Sequence, residues 1–474
     1  MNRHSTLLNP PKPLLHLQRI KRYLATGLIA VVCGCSSLPV IVPAMARPQA
    51  SPVQLEGAQG PLSVRQSKAV LDRLQSRGKE TSIFDRHLAI EEAITGSPLM
   101  TGNKVSLLID GPATYQRMFA AIRSARNHIN LETYIIEDDE IGNRFADALI
   151  EKRAQGVTVN LIYDSVGSIT VPATFFKRLT DSGIRVLEFN PVNPLTAKKG
   201  WNVNQRDHRK LLIIDGQTAF LGGINISSVY SGGSYSHAKQ RPVGGPPWRD
   251  THLEVEGPVV GEFQKLFLAT WEKQKGELLI TGDYLPQLTG TGPEIVRAIG
   301  SSPDEPYSLI YATLISAISS AETSVNLTNA YFVPDPQLLA ALKDAVKRGA
   351  EVRLILPGST DSWLVFHAGR RHYTELLDAG IKIYERNNAL LHSKTAVIDG
   401  VWSTVGSTNL DWRSFLHNDE INAVILGQAF GAQMQAMFEK DIAASTLITP
   451  EAWRQRPLSN RLKETAAGVW EYWL

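Results

Sequence analysis

From about residue 100 onward, short apolar runs alternate with stretches whose apolar residues recur at helical spacing. "AIRSARNHINLETYII", from Ala121, reads as a helix end running into a strand. "RAQGVTVNLIY" from Arg153 and "LTDSGIRVLEF" from Leu179 each read as a helix end, a glycine and a strand. The three segments recur in order as "AISSAETSVNLTNAYFV" from Ala317, "VKRGAEVRLIL" from Val346 and "LLDAGIKIYER" from Leu376. Strands alternating with helices at this spacing predict right-handed βαβ units, and the repetition predicts a duplicated chain. The expected fold is α/β: two similar domains, each a mixed, largely parallel sheet flanked by helices, over residues 101–290 and 291–474. A length of 474 residues suits two such cores.

Each half then delivers one more apolar strand with a polar mouth. "RDHRKLLIIDG" starts at Arg206 and "LLHSKTAVIDG" at Leu390. The pattern is longer than the pair. Both halves read H-x-K-x4-D-x6-G-[GS]-x-N: His208, Lys210, Asp215, Gly222, Gly223, Asn225; and His392, Lys394, Asp399, Gly406, Ser407, Asn409. Residues i and i+2 of a strand share a face, so each His and Lys point the same way. The apolar run behind them predicts a central parallel strand buried on both faces. The polar pair then stands at one end of the sheet, where ligands of open α/β sheets sit.

Two such modules facing each other suit a phosphodiester. Two lysines supply point charges for phosphate oxygens, and two asparagines supply neutral donors. One imidazole attacks phosphorus and the other protonates the leaving alkoxide, then serves as base for the incoming hydroxyl. The chemistry needs no metal or cofactor, and the sequence offers no metal-binding cluster. A nucleophilic His keeps one ring nitrogen free, so a carboxylate is expected on the other. Each half offers one: Asp250 in "WRDTHLEVEGP" and Glu420 in "HNDEINAVI". Glu254 and Asp419 are set aside, because neighbours on a strand face apart.

Composition sharpens the substrate class. The net charge is +3, yet residues 1–46 hold five bases and no acid, so the remainder carries −2. A slightly acidic body is a poor match to a polyanion, which argues against nucleic acid as partner. Those first 46 residues read as an export signal: bases up to Arg22, an apolar stretch from Leu24 to Val32, then small residues. "VCGC" resembles a bacterial lipobox with Cys35 as the lipidated residue, "AMA" (Ala44–Ala46) fits signal-peptidase cleavage, and the uncharged run from Tyr23 to Ala46 fits an uncleaved anchor. All three put the body on the bacterial envelope, facing the periplasm or outside. Residues 47–100 read as a linker and a capping helix, "SVRQSKAVLDRLQSR".

The duplicated motif strongly resembles the phospholipase D superfamily over nearly all of residues 100–450. Within it, the chain is most similar to bacterial cardiolipin synthases through "LETYIIEDDEIG", "HRKLLIIDGQTAFLGGIN", "WRDTHLEVEGPVV" and the run from "LLDAGIKIYE" to "LLHSK". The resemblance implies a monomer of two phospholipase D-like domains related by a pseudo-twofold, with one site between them. It implies His208 as nucleophile, His392 as acid and base, and Asp215 and Asp399 as organisers of the site. It implies transfer of a phosphatidyl group from phosphatidylglycerol to the hydroxyl of a second phospholipid. Gly223 departs from the commoner serine that Ser407 retains.

A phospholipase or nuclease with water as acceptor, and a non-catalytic lipid-binding protein, are the competing readings. Two intact His–Lys pairs oppose the last. Four further features stay open. The first motif carries two insertions, "NPVNPLTAKKGWNVNQRD" before it and "VYSGGSYSHAKQRPVGGPPW" after it, that either shape access or are tolerated surface. Trp201, Tyr230, Tyr235, Trp363 and Phe366 either meet acyl chains or belong to core and surface. "GRRHYTELL" from Gly369 either aims Arg371 or His372 at a phosphate or is a solvated helix face, and "VWEYWL" from Val469 either packs on the core or touches the membrane.

Overall fold

A computed structural model describes residues 53–76, 81, 83–193, 201–235, 246–279 and 284–474. The export segment with Cys35 lies outside these residues, as do the centres of both insertions, 194–200 and 236–245. Among the described residues no helix is long and apolar enough to cross a membrane.

A hairpin of β1 (Leu55–Gly57) and β2 (Gly60–Pro61) leads in. The first half supplies β3 (Leu99–Ile109), β4 (His128–Thr133), β5 (Thr158–Asp164), β6 (Arg185–Phe189), β7 (Arg206–Asp207), β8 (Lys210–Ile214), β9 (Thr218–Gly222), β10 (Trp248–Arg249) and β11 (Thr251–Glu256). The second supplies β12 (Glu294–Ser301), β13 (Ser324–Asn329), β14 (Glu351–Pro357), β15 (Lys382–Arg386), β16 (Leu390–Leu391), β17 (Lys394–Ile398), β18 (Trp402–Gly406), β19 (Asn418–Leu426) and β20 (Ser445–Ile448).

Pairing runs β6–β5–β4–β8–β9–β11–β3 in the first half. It runs β15–β14–β13–β17–β18–β19–β12 in the second, with the same alternation of directions. β3 and β12 pair antiparallel, so the duplicated domains meet at equivalent strands about a pseudo-twofold. Helices follow β4 and β5, at Glu140–Ala154 and Ala173–Asp181, and build the two parallel crossovers.

The sheets are mixed, and their parallel part is narrower than the βαβ pattern suggests. Only β4–β5–β6 and β13–β14–β15 run parallel. The motif strands β8 and β17 are buried and central, but antiparallel to both neighbours. The local reason is the turn that follows them. Asp215 and Gly216 take φ 54° and 64°, and Asp399 and Gly400 take 51° and 68°. Positive φ at both central residues is a type I′ turn, which twists with a hairpin and reverses the chain at once. A parallel partner would have needed a crossover of a dozen residues or more.

The halves share a core. One apolar cluster joins Leu211, Leu221 and Phe263 of the first half to Val405, Ile425 and Met434 of the second. Residues 53–95 do more than link and cap. Leu55, Ile83, Phe84 and Leu88 are buried in the second half's core beside Tyr311 and Trp402. Their apolar positions are too few and too irregularly spaced to display a periodic face.

Candidate active site

The short strands β7 and β10 decide where the histidines go. β7 pairs in parallel with the start of β19: Arg206 lies opposite Asn418 and Asp207 opposite Asp419. β10 pairs in parallel with β16: Trp248 opposite Leu390 and Arg249 opposite Leu391. Each pairing crosses from one half to the other. One residue further on, the register brings His208 beside Glu420 and His392 beside Asp250. The His208 amide donates to the Asp419 carbonyl at 2.9 Å, and the His392 amide to the Arg249 carbonyl at 2.8 Å. Buried arginines brace both crossings: Arg206 donates to Ser165 at 2.9 Å, and Arg249 to Asp441 at 2.7 Å.

Each imidazole is thus held by a carboxylate of the opposite half. His208 Nδ1 lies 3.0 and 3.1 Å from the two oxygens of Glu420. His392 Nδ1 lies 2.7 Å from Asp250 Oδ2. Neither Nε2 has a hydrogen-bond partner among the described residues. Lys210 and Lys394 are buried, and each donates to the carbonyl of its own motif histidine. Lys394 acts on the charge of Lys210, and each lysine on that of the other half's histidine, so both modules share one electrostatic site.

The site is short of solvent, and that sets its protonation. Burial, and then the two lysines, pull His208 down to about 4, against the opposing pull of Glu420. Burial and Lys394 also lower His392. Burial pushes Glu420 up, but His208, Lys210 and the Ser407 hydroxyl together outweigh it and hold it at about 2. At neutral pH the carboxylate is therefore ionised and the ring neutral, with Nδ1–H donated to Glu420 and a lone pair on Nε2. Burial, opposed by Glu420 and reinforced by Lys394, lowers Lys210 to about 7, and burial lowers Lys394 to about 8. Neither lysine makes a direct ion pair with a carboxylate among the described residues. A phosphate between them would restore both charges.

The supporting residues fall in two groups. Ser407 donates to Glu420 and accepts from the Ile421 amide at 3.0 Å. Asn225 Nδ2 donates to the Tyr230 hydroxyl at 3.1 Å, and that hydroxyl lies 3.2 Å from His392 Nδ1. Asn409 is buried and its Oδ1 has no partner among the described residues. Gly223 has a steric reason. A Cβ there would come 2.2 Å from Asp250 Oδ1, so a serine does not fit beside that aspartate.

Asp215 and Asp399 stand apart from the other candidates. They sit at the far ends of β8 and β17, about 16 Å of strand beyond the lysines. Asp215 accepts from the amides of Arg126, Asn127 and His128 at 2.9, 2.7 and 2.9 Å. Asp399 accepts from the amides of Thr323 and Ser324 at 2.8 and 2.9 Å, and from Thr81 Oγ1 at 2.6 Å. Each pins the neighbouring strand to the motif strand, at the end of that strand away from the two imidazoles.

Sequence reasoning passed over Tyr134 and Trp248. The Tyr134 ring lies 5.0 Å from the His208 ring and 5.0 Å from Lys210 Nζ. Trp248 lies 5.2 Å from His392. The repeat carried no signal for the first, since the position equivalent to Tyr134 in "VNLTNAYFV" is Ala330 and Tyr331 falls one residue later. Of the aromatics singled out earlier, Tyr230 reaches His392. Tyr235 instead donates to Asp441 under the guanidinium groups of Arg249 and Arg386, and Trp201 donates to the Pro191 carbonyl at 2.6 Å. Phe366 packs against Arg370 and His367. Arg371 and His372 meet Glu471, so they tie the C-terminus down and leave the phosphate site to others.

Comparison with known proteins agrees with this architecture. A family profile described as "Cardiolipin synthase, PLD-like domain" matches residues 118–231 and 314–442. A cardiolipin synthase of Geobacillus sp. (strain WCH70) is 37% identical over 383 residues, 80% of this chain and 74% of that one. A cardiolipin synthase of Alkalihalophilus pseudofirmus is 36% identical over 374 residues, 78% of this chain and 72% of that one. Among solved structures, the phosphatidylserine synthase of Haemophilus influenzae Rd KW20 superposes with a TM-score of 0.59 at 13% identity, covering 81% of this chain and 99% of that one, which shows a shared fold.

Proposed function

We infer that this chain, which belongs to the cardiolipin synthase family of phospholipase D-like proteins, is a phosphatidyltransferase. Its reaction as we propose it runs through a phosphohistidine. His208 Nε2 attacks the phosphorus of phosphatidylglycerol, and the N–P bond forms as the P–O bond to glycerol breaks. His392 Nε2 gives its proton to the departing glycerol oxygen. It then takes the proton of a second lipid's hydroxyl, that oxygen attacks phosphorus, and the N–P bond breaks to return His208. Lys210, Lys394, Asn225 and Asn409 hold the non-bridging oxygens, whose negative charge grows in the transition state. Substrate anion between the lysines raises His392 enough for it to carry the proton it must donate.

One observation carries the assignment of roles: two buried imidazoles, each fixed at Nδ1 by the other half's carboxylate, with Nε2 unbonded among the described residues. His208 is favoured as nucleophile because Glu420 grips it through both oxygens and Ser407 braces Glu420. The halves 101–290 and 291–474 supply one module each, so a monomer is sufficient. We place the enzyme on the outer face of a bacterial membrane, held through Cys35 or the apolar leader.

The test uses the full chain, labelled phosphatidylglycerol and plasmid DNA together. Labelled cardiolipin with intact plasmid is expected. Labelled phosphatidate alone would remove the transferase assignment, and nicked plasmid with intact lipid would remove the lipid assignment.

A further inference from the structure

The C-terminal helix Leu458–Ala467 is built inside out. Its carboxylate Glu464 is 3% exposed and accepts from Arg456 at 3.0 and 2.9 Å, with Ala467 buried on the same side. Leu458 and Leu462, one turn apart on the opposite side, are 70% and 63% exposed. A helix that served only the core would turn its leucines inward and its carboxylate outward. The stripe continues into the 3-10 helix Gly468–Trp473, where Trp470 and Trp473 are 56% and 69% exposed. That segment is tied down. Glu471 meets Arg371 and His372, the Tyr472 ring packs on Trp412, and the Arg413 amide donates to the Leu474 carbonyl. Its tryptophans are therefore presented outward by an anchored backbone.

Two further observations say what covers this face. On the helix, Arg461 and Lys463 are exposed on either side of the leucine stripe, while its carboxylate is inside. The exposed face is therefore cationic and apolar, which complements an anionic lipid surface. The face is also continuous with the mouth of the site. The helix Trp363–Arg370 packs on both C-terminal helices and opens with the exposed Trp363. Just before it, Asp361 accepts from Tyr331 at 2.7 Å and acts on the charge of Lys394. The Arg413 side chain donates to Asn204, in the approach to the first motif, at 3.2 Å.

We propose that Leu458, Leu462, Val469, Trp470, Trp473 and Trp363 form a docking face that lies at headgroup depth in an anionic bilayer and presses the catalytic mouth onto the membrane. Tryptophan suits that depth, and a basic amphipathic helix binds in the plane of the interface. The inference rests on the lipid-substrate reading and adds where the bilayer sits. A lipid phosphodiester is then met at the depth where it resides, with its acyl chains left in the membrane.

The test is hydrogen–deuterium exchange on the full chain with phosphatidylethanolamine–phosphatidylglycerol vesicles, phosphatidylcholine vesicles, or none. Protection of peptides spanning 458–474 and 361–366 is expected with the anionic vesicles. Unchanged exchange there, in protein bound to those vesicles, overturns the proposal. So does protection that follows protein concentration without lipid, which assigns the face to a second copy. A Leu458→Ser, Leu462→Ser, Trp470→Ser, Trp473→Ser variant gives the kinetic arm. Its rate on vesicle phosphatidylglycerol should fall about tenfold, with its rate on soluble short-chain phosphatidylglycerol within about twofold of the parent. Equal loss on both overturns the proposal. If the parent converts neither lipid, the functional reading fails, while exchange still decides the docking face.

Discussion

His208 leans on a glutamate and His392 on an aspartate, although the strands that carry them superimpose in order, direction and turn. In the first arrangement Ser407 donates to Glu420, which meets the ring through both oxygens. In the second, Gly223 replaces the serine, Asp250 meets the ring through one oxygen, and the Tyr230 hydroxyl lies 3.2 Å from the same nitrogen. The scaffold is symmetric and the layer behind the histidines is not. A duplicated fold can therefore assign different work to equivalent side chains without moving them, by changing only what holds the distal nitrogen.

The harshest break of that comparison removes one imidazole at a time. His208→Ala and His392→Ala should each lower turnover by about 10⁴-fold or more, because nucleophile and acid act as a unit. The difference between them lies in the trapped intermediate. With labelled phosphatidylglycerol, His392→Ala should carry label on His208, read by mass spectrometry of acid-sparing digests. Label found on His392 in the His208→Ala chain, and none on His208 in the other, would exchange the two roles.

A smaller break keeps the rings and neutralises their partners. Glu420→Gln and Asp250→Asn should each cost about 10²-fold, since an amide no longer fixes the tautomer with Nε2 free. Single-turnover rates separate them. Glu420→Gln should slow formation of the phosphohistidine, and Asp250→Asn its breakdown as well. Identical kinetic signatures would mean that the asymmetry has no mechanistic weight.

The lysines supply a pH test. His208 sits at about 4, and Lys210 and Lys394 at about 7 and about 8 in the free protein. Below about 4 the nucleophile is protonated and cannot attack. As pH rises through 7 and 8 the lysines lose the charge that binds phosphate. kcat/KM should therefore be high between those limits and fall on the alkaline side, by up to about tenfold per pH unit for each lysine lost. Lys210→Arg keeps a cation at every pH and should push the alkaline limb upward. A limb that does not move assigns it to another group.

Much of this site was legible because duplication printed it twice. The offsets from His208 to Asn225 and from His392 to Asn409 singled out the candidate side chains, and strand periodicity put each His and Lys on one face. The acids Asp250 and Glu420 were also legible, as carboxylates each half offers downstream. That each serves the other half's histidine was not, because it depends on the two-residue pairings β7 with β19 and β10 with β16. Such bridges are too short to leave a period. The direction of β8 was misjudged for a related reason: an apolar run buried on both faces looks alike in parallel and antiparallel surroundings, and the deciding signal was the Asp–Gly turn. The inverted helix Leu458–Ala467 was invisible, since composition does not say which face is outside.

The gentlest test asks whether glycine with aspartate, and serine with glutamate, are matched sets. A Cβ at position 223 would come 2.2 Å from Asp250, so the short acid and the missing side chain depend on each other. Gly223→Ser should accordingly cost about 1–3 kcal/mol of stability, read by denaturant unfolding. In the other half, Ser407→Gly alone removes one hydrogen bond to Glu420 and should cost about fivefold in turnover. Glu420→Asp alone retracts the carboxylate by about 1.5 Å, one C–C bond, and leaves both His208 and Ser407 short of a partner. Combining the two copies the first half's pair into the second, and the vacated Cβ lets the shortened acid settle toward the strand. The double variant should then outperform Glu420→Asp by about fivefold. If it is no better than the single change, the acid's length is set by something other than the residue packed against it, and the two holding layers are merely different, not complementary.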